Sequence, residues 1–404
     1  MPGRINVGVV LESQLHSGGG FQQAFSTLLL LDEKGEKDKL TNFTYFTSVK
    51  ENLKILKEHN IKCHYLSFFK LRKIMSSISK FLSGRLTSLT KIINFFAVDK
   101  YFEKKNIDLL YFLEPSNIPV YLEKLNYIYT LWDQCHRDHM EFPEVRENWE
   151  FSKREKKFQL ALPKASAIFV DSEKSKKSAV FRYRIDETRV RVLPFLPSKL
   201  IVEKKTSQHL PKSLFERPFI FYPAQYWAHK NHLTLLKAIK ILKDRGIEVM
   251  CVLTGSDKGN LENIHKYINH LGLAKDVIVL GFVESEIISN LYQKCNMVVM
   301  PSYFGPTNLP PLEAMVFRKP VIYPSINIEN NDFSKFVVPF YISDFVDLSE
   351  KILGVLRKDI PLEAKYKAGQ IYLKKYNSNY FWNGVLAEIK SFERKYSIWN
   401  SLSM

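Results

Sequence analysis

Short apolar runs recur along this chain. Each is followed by a polar loop and then by a longer segment with apolar positions three and four apart. In the first half the runs are Ile5-Asn-Val-Gly-Val-Val-Leu11, residues 45–50, Lys62-Cys-His-Tyr-Leu-Ser67, Ile107-Asp-Leu-Leu-Tyr-Phe-Leu113, Asn126-Tyr-Ile-Tyr-Thr-Leu-Trp132 and Ala167-Ile-Phe-Val170. In the second half they are Phe219-Ile-Phe-Tyr-Pro223, residues 248–254, Val277-Ile-Val-Leu-Gly281, Met297-Val-Val-Met300, Pro320-Val-Ile-Tyr323 and residues 337–342. Runs this short and this apolar fit parallel strands covered on both faces. Helical spacing follows at 21–31, 52–59, 146–162, 285–294 and 348–356, in an apolar segment opening at Glu313, and across 372–398. The alternation predicts an α/β chain, with an interdomain break at 194–217, which is rich in Pro, Lys and Ser. The expected layout is a first domain 1–195, a linker 196–217, a second domain 218–375 and a terminal helix 376–404.

One stretch, 68–101, departs from this rhythm. From Lys70 to Val98 its charged residues are all basic, namely Lys70, Arg72, Lys73, Lys80, Arg85 and Lys91. Leu71, Ile74, Met75, Ile78, Phe81 and Leu82 lie between them at helical spacing. A basic amphipathic helix pair suits an anionic bilayer surface, and an ordinary helix with a solvated basic face is the alternative.

At 404 residues, 45% hydrophobic and 25% charged, the chain can bury two sizeable cores, which excludes a disordered protein. A net charge of +17 points to a polyanionic partner: a membrane face, an anionic substrate or nucleic acid. No RRM, KH or helix-turn-helix pattern supports the last of these. Cys63, Cys135, Cys251 and Cys295 are scattered, without CxxC or metal-ligand spacing, and read as reduced thiols of a cytosolic protein. No apolar run reaches the length of a membrane span, and the N-terminal run reads as a strand rather than a signal peptide.

Candidate chemistry gathers where strands end. Gly18, Gly19 and Gly20 follow the first strand, where a glycine loop lets backbone amides approach a phosphate. The loop is not GxGxxG, and a plain tight turn is the structural alternative. Past Trp132 stands a dense polar cluster, including Asp133, His136, Arg137, His139 and Glu144. Ordinary loop ion pairs are its alternative. Gln225 to His232 lies at the mouth of the strand 219–223. Lys230 there opposes the dipole of the following helix, so it has little local structural reason. Met300 to Pro324 joins strand, glycine- and proline-bearing loop, helix and strand, an arrangement in which helix N–H groups face a ligand.

This last stretch resembles the retaining glycosyltransferases of GT-B fold, of the family 4 or group 1 type. Their signature carries two glutamates eight positions apart. Pro301-Ser302 and Leu309-Pro310-Pro311-Leu312-Glu313-Ala314-Met315 match it, and Gly305 stands where the first glutamate belongs. The resemblance implies two Rossmann-like domains facing across a cleft, with the final helix crossing back onto the first. It implies hexosyl transfer from a UDP- or GDP-sugar to a saccharide or lipid-linked saccharide, with retention, in surface polysaccharide synthesis such as O-antigen or capsule. No cofactor beyond the donor and, in the absence of a DxD motif, no metal is expected. The expected setting is the inner face of the cytoplasmic membrane, without a nucleic-acid partner.

Residue by residue, the resemblance places Gly18, Gly19 and Gly20 beside the donor diphosphate. His136 would touch the donor sugar and Asp133 fits the family's acid, while Trp132 replaces a histidine. Lys230 would clamp the diphosphate, with Gln225 where an arginine is usual. The backbone around Gly281, Phe282 and Val283 would read the base. Gly305, Pro306, Thr307, Asn308 and Leu309 would meet the donor, and Glu313 the ribose hydroxyls. Arg137 and His139 are candidates for an acceptor phosphate. The missing glutamate and arginine keep open a sugar-nucleotide epimerase or a non-catalytic partner subunit.

Overall fold

A computed structural model describes residues 4–14, 18–66, 98–203, 216–305, 309–328 and 332–400. The basic segment up to residue 97, linker residues 204–215, and the loop residues Pro306, Thr307 and Asn308 lie outside the described residues. Two parallel sheets account for the apolar runs. The first holds seven strands: β1 (Ile5–Leu11), β2 (Thr41–Thr47), β3 (Cys63–Tyr65), β4 (Leu109–Phe112), β5 (Asn126–Thr130), β6 (Ala167–Val170) and β7 (Val190–Val192). Their order across the sheet is β3-β2-β1-β4-β5-β6-β7. In register, Val9 sits between Tyr45 and Tyr111.

The second sheet holds six strands: β8 (Phe219–Pro223), β9 (Met250–Thr254), β10 (Val277–Gly281), β11 (Met297–Val299), β12 (Val321–Pro324) and β13 (Val338–Phe340). They run in the order β10-β9-β8-β11-β12-β13. Each sheet therefore reverses direction at its first strand, between β1 and β4 and between β8 and β11. At such a switch point the flanking loops diverge and leave a crevice at the carboxyl ends of the strands.

The strands are apolar throughout because helices cover both faces. On one side of the first sheet Phe21, Phe25 and Leu28 pack against Leu109 and Tyr111; on the other Phe112, Tyr127, Tyr129 and Phe158 form a separate core. Each such fully buried side chain contributes about 1.5–3 kcal/mol of transfer free energy, before entropy is counted. The helix Ser378–Asn400 crosses back onto the first domain, burying Phe381, Val385, Ile389 and Phe392 there. Gly384 allows the approach, since a Cβ at that position would meet Leu193 at 2.3 Å. Arg191 pairs with Glu388 at 2.5 Å, and the Tyr396 hydroxyl donates to Asp108 at 3.0 Å.

Some boundaries differ from the sequence reading. The spacing across 372–398 runs through two helices, Glu363–Lys375 and Ser378–Asn400. Asn377 divides them, and its side chain accepts the Tyr380 amide at 3.0 Å. The helix expected to open at Glu313 starts at Leu309. Proline has no N–H and a fixed φ, so Pro310 and Pro311 suit a first turn but supply no amide donor to a ligand.

Candidate functional site

The carboxyl edges of the two sheets face each other across a cleft of about 880 Å³. The first domain lines it with the glycine loop, Trp132, Asp133, Glu144 and Arg154; the second with Gln225, Lys230, Phe282, Gly305 and Glu313. Gly18 is required twice over. Its φ is 71°, and a Cβ there would meet the Gln225 side chain at 2.9 Å. Gly20 gives room to the Trp132 ring, 2.7 Å from where its Cβ would stand. The Trp132 indole N–H donates to Gln23 at 2.9 Å, so this residue forms a wall of the cleft rather than an acid–base group. The helix Gly19–Gly35 begins with no side-chain cap and no acid in its first turn. Its N-terminal dipole thus meets the cleft with no carboxylate from its own first turn, a condition that favours an anion.

Lys230 ends the short turn Ala228–Lys230, ahead of the helix His232–Asp244. Its carbonyl accepts the Tyr222 hydroxyl at 2.7 Å, and its Nζ donates to the Ser302 hydroxyl at 3.3 Å. Burial pushes its pKa down to about 8, against the pull of Asp133 and Glu144 across the cleft. Glu313 is 3% exposed and accepts the Tyr292 hydroxyl at 2.7 Å. Burial pushes its carboxyl up to about 7. Phe282, 38% exposed, also lines the cleft, beside Gly281, whose φ is 68° and whose carbonyl accepts the Gly255 amide at 2.8 Å. Val283 lines the cleft beside it.

The polar cluster after β5 divides. Asp133 lines the cleft, where it pairs with Arg154 and accepts the Cys135 amide at 3.0 Å. Burial opposes its charge, but Arg154 holds the carboxyl below its ordinary range. His136, expected at the donor sugar, is placed elsewhere in this structure. It is fully buried between Phe151 and Phe158, with Nε2 3.2 Å from Glu155, and it does not line the cleft. Burial, then the Arg154 charge, lowers its pKa to about 4, which leaves a neutral structural imidazole. Arg137 and His139, the residues expected at an acceptor phosphate, do not line the cleft either. Arg137 pairs with Glu155 and covers the Tyr183 ring at 4.9 Å. His139 stacks on Phe304 with centroids 5.1 Å apart.

That stack belongs to a clasp between the domains. Phe304 lies between the His139 and His229 rings, the second at 3.9 Å. Glu144 accepts the His229 amide at 3.0 Å and also bonds its Nδ1. Burial, followed by the Lys230 charge, lowers the His229 pKa to about 4. The Gly305 amide faces the Cys135 thiol, so it is turned toward the first domain rather than offered to a donor. Leu309 lines the cleft. Sequence reasoning missed Arg154 and passed over Glu144. Nothing in a charged helix singles out one arginine, whereas Glu144 stood at the end of a cluster already marked.

Two facing Rossmann-like domains, switch points opposed and last helix returning to the first domain, are the GT-B fold. Residues 205–368, which span the second domain, match the family model described as Glycosyl transferases group 1. Alpha-D-kanosaminyltransferase of Streptomyces kanamyceticus is 24% identical over 203 residues, which cover 48% of this chain and 52% of that protein. An uncharacterized glycosyltransferase of Bacillus subtilis, YqgM, is 28% identical over 39% of this chain and 41% of its own length. The chain thus spans about half the length of these curated relatives, or less. Among solved structures, Anabaena Alr3699/HepE in complex with UDP-glucose has a TM-score of 0.69 at 14% identity, covering 96% of this chain and 100% of that one. Sucrose-phosphate synthase from Thermosynechococcus elongatus has a TM-score of 0.68 at 15% identity, covering 97% and 99%.

Proposed function

We propose that this protein is a glycosyltransferase moving a hexosyl unit from a nucleoside diphosphate sugar to a saccharide or lipid-linked saccharide, with retention and without a catalytic metal. The observation that carries this reading is the placement of Lys230 and the uncapped start of the helix Gly19–Gly35 on opposite walls of one cleft. A departing diphosphate between them meets a cation on one side and backbone amides on the other. Such fixed donors stabilise the charge that develops on the leaving group, and one of them is typically worth roughly 3 kcal/mol. In this reading Glu313 takes the ribose hydroxyls, the edge near Phe282 and Val283 takes the base, and the leaving phosphate receives the acceptor proton. The acceptor then approaches from the first domain, beside Asp133 and Arg154. The UDP-glucose bound to the Anabaena protein of like fold supports a UDP-sugar as the first donor to try.

Among the described residues no helix is long and apolar enough to cross a membrane. Attachment to an anionic bilayer through the basic segment, and a place in surface polysaccharide synthesis, belong to the same proposal and rest on the sequence. Co-flotation with anionic liposomes at low salt checks the attachment, and its absence removes that part.

A thermal-shift screen of UDP, GDP and their sugar conjugates tests the central claim. A ligand that binds only the folded state, at 100 times its dissociation constant, adds about 2.7 kcal/mol. No shift with any of them overturns the reading. Hydrolysis of the bound donor without acceptor separates a transferase from a silent partner subunit. Glu313→Gln is expected to weaken nucleotide binding, and an affinity equal to wild type in calorimetry rejects the ribose role.

A further inference from the structure

Glu144 comes from the first domain, yet besides its own amide the partner its carboxylate bonds, His229, belongs to the second. It stands in the turn Pro143–Arg146, and its side chain is 8% exposed on the wall of the cleft. The His229 amide and the His229 ring both bond Oε1. Neither bond uses Oε2. The residue next to its partner is Lys230, whose ammonium feels the Glu144 charge. On the second domain's side the cleft is lined by Phe304 and Gly305, a ring and a residue without a side chain, so neither offers a carboxylate there.

We propose that Glu144 reads the sugar of the donor, its Oε2 accepting a hydroxyl of the hexosyl ring while Oε1 stays on His229. This rests on the nucleotide-sugar reading above. The chemistry fits the position. A carboxylate held at one oxygen is oriented at the other, and it accepts hydroxyl donors without paying for a new rotamer. It also lines the cleft that Lys230 lines, bonded to the residue that precedes Lys230 in the chain, so a sugar carried on a diphosphate at Lys230 comes within its reach. A carboxylate there repels the phosphates and favours the neutral ring, so it sets direction as well as identity. One consequence is that sugar recognition requires the closed domains, because the reading carboxylate and the phosphate-binding lysine sit on different ones.

Calorimetry with two ligand pairs, UDP with UDP-glucose and GDP with GDP-mannose, tests this on wild type, Glu144→Gln and Glu144→Asp. The expected result is a loss of about tenfold in affinity for the preferred nucleotide sugar in Glu144→Gln, with affinity for its bare nucleoside diphosphate kept within about twofold. Glu144→Asp, charged but shorter, is expected to lose affinity for the sugar conjugate alone as well. Equal losses for the bare nucleotide and the conjugate would assign Glu144 to the clasp only and overturn the proposal. So would unchanged affinity for both. If wild type binds neither pair, the nucleotide-sugar reading itself falls, and this one with it.

Discussion

Burial lowers the Lys230 ammonium to about 8, and a bound diphosphate would raise it again. Binding of the nucleotide therefore favours the protonated lysine. Affinity should be at its full value below pH 8 and decline as pH rises through that value, where the free protein must first take up a proton. Titrations at pH 7 and 9 check the sign. Lys230→Ala should lower kcat by about 100- to 1,000-fold with little change in Tm, and unchanged turnover would dismiss the clamp. His136 makes the opposite case at the same scale. His136→Ala removes a ring packed between two phenylalanines and should cost roughly 2–3 kcal/mol of stability. Turnover per folded molecule should hold within about twofold, as measured by active-site titration. Its pH signature also has a definite sign. With a folded pKa near 4 and an ordinary value of 6.5, the unfolded chain binds the extra proton between them. This residue's contribution to stability is thus present above pH 6.5 and lost as pH falls toward 4.

At the scale of elements, the switch points do the positioning. Loops after β1 and β8 separate from those after β4 and β11 because the next strand joins the opposite edge, and the crevice between them holds Gly18 in one domain and Lys230 in the other. Close approach then depends on small residues. Gly384→Leu would drive a branched side chain into Leu193, where even a Cβ arrives at 2.3 Å. The returning helix Ser378–Asn400 should lift, costing about 1–3 kcal/mol and lowering Tm by several degrees. A Tm equal to wild type would mean that the helix is not held by this contact. The element boundaries that the sequence misplaced have local causes. Asn377 can cap a new helix as easily as it can lie within one, and proline at the first turn does not distinguish a loop's end from a helix's start.

Across the described residues, a ring stack and one carboxylate join the two walls of the cleft. Phe304 is the centre of that contact. Phe304→Ala should loosen the closed form, raising the radius of gyration measured by small-angle scattering in the absence of ligand. An identical scattering profile would show that closure does not depend on the stack. The fold class was legible from the rhythm of apolar runs. Covered parallel strands must be apolar on both faces, and helices between them must show one apolar stripe, so local pattern and sheet topology carry the same information. The positions of Lys230, Glu313 and the glycine loop were legible too, since each follows a strand end where polar or flexible residues have no local structural reason.

What sequence alone could not decide is which polar side chains reach the cleft. Asp133, His136 and Arg137 stand within five residues of one another, yet only Asp133 lines it, because the turn at Cys135 sends the others toward Glu155. Arg154 enters from a helix whose charges look like a solvated surface, and Glu144 from the far end of the marked cluster. The partnership of Glu144 with His229 joins residues 85 positions apart on different domains. Spacing along a chain determines which residues share a helix face or a strand end. Contacts between domains depend on how two finished sheets turn toward each other, and only the tertiary structure settled that.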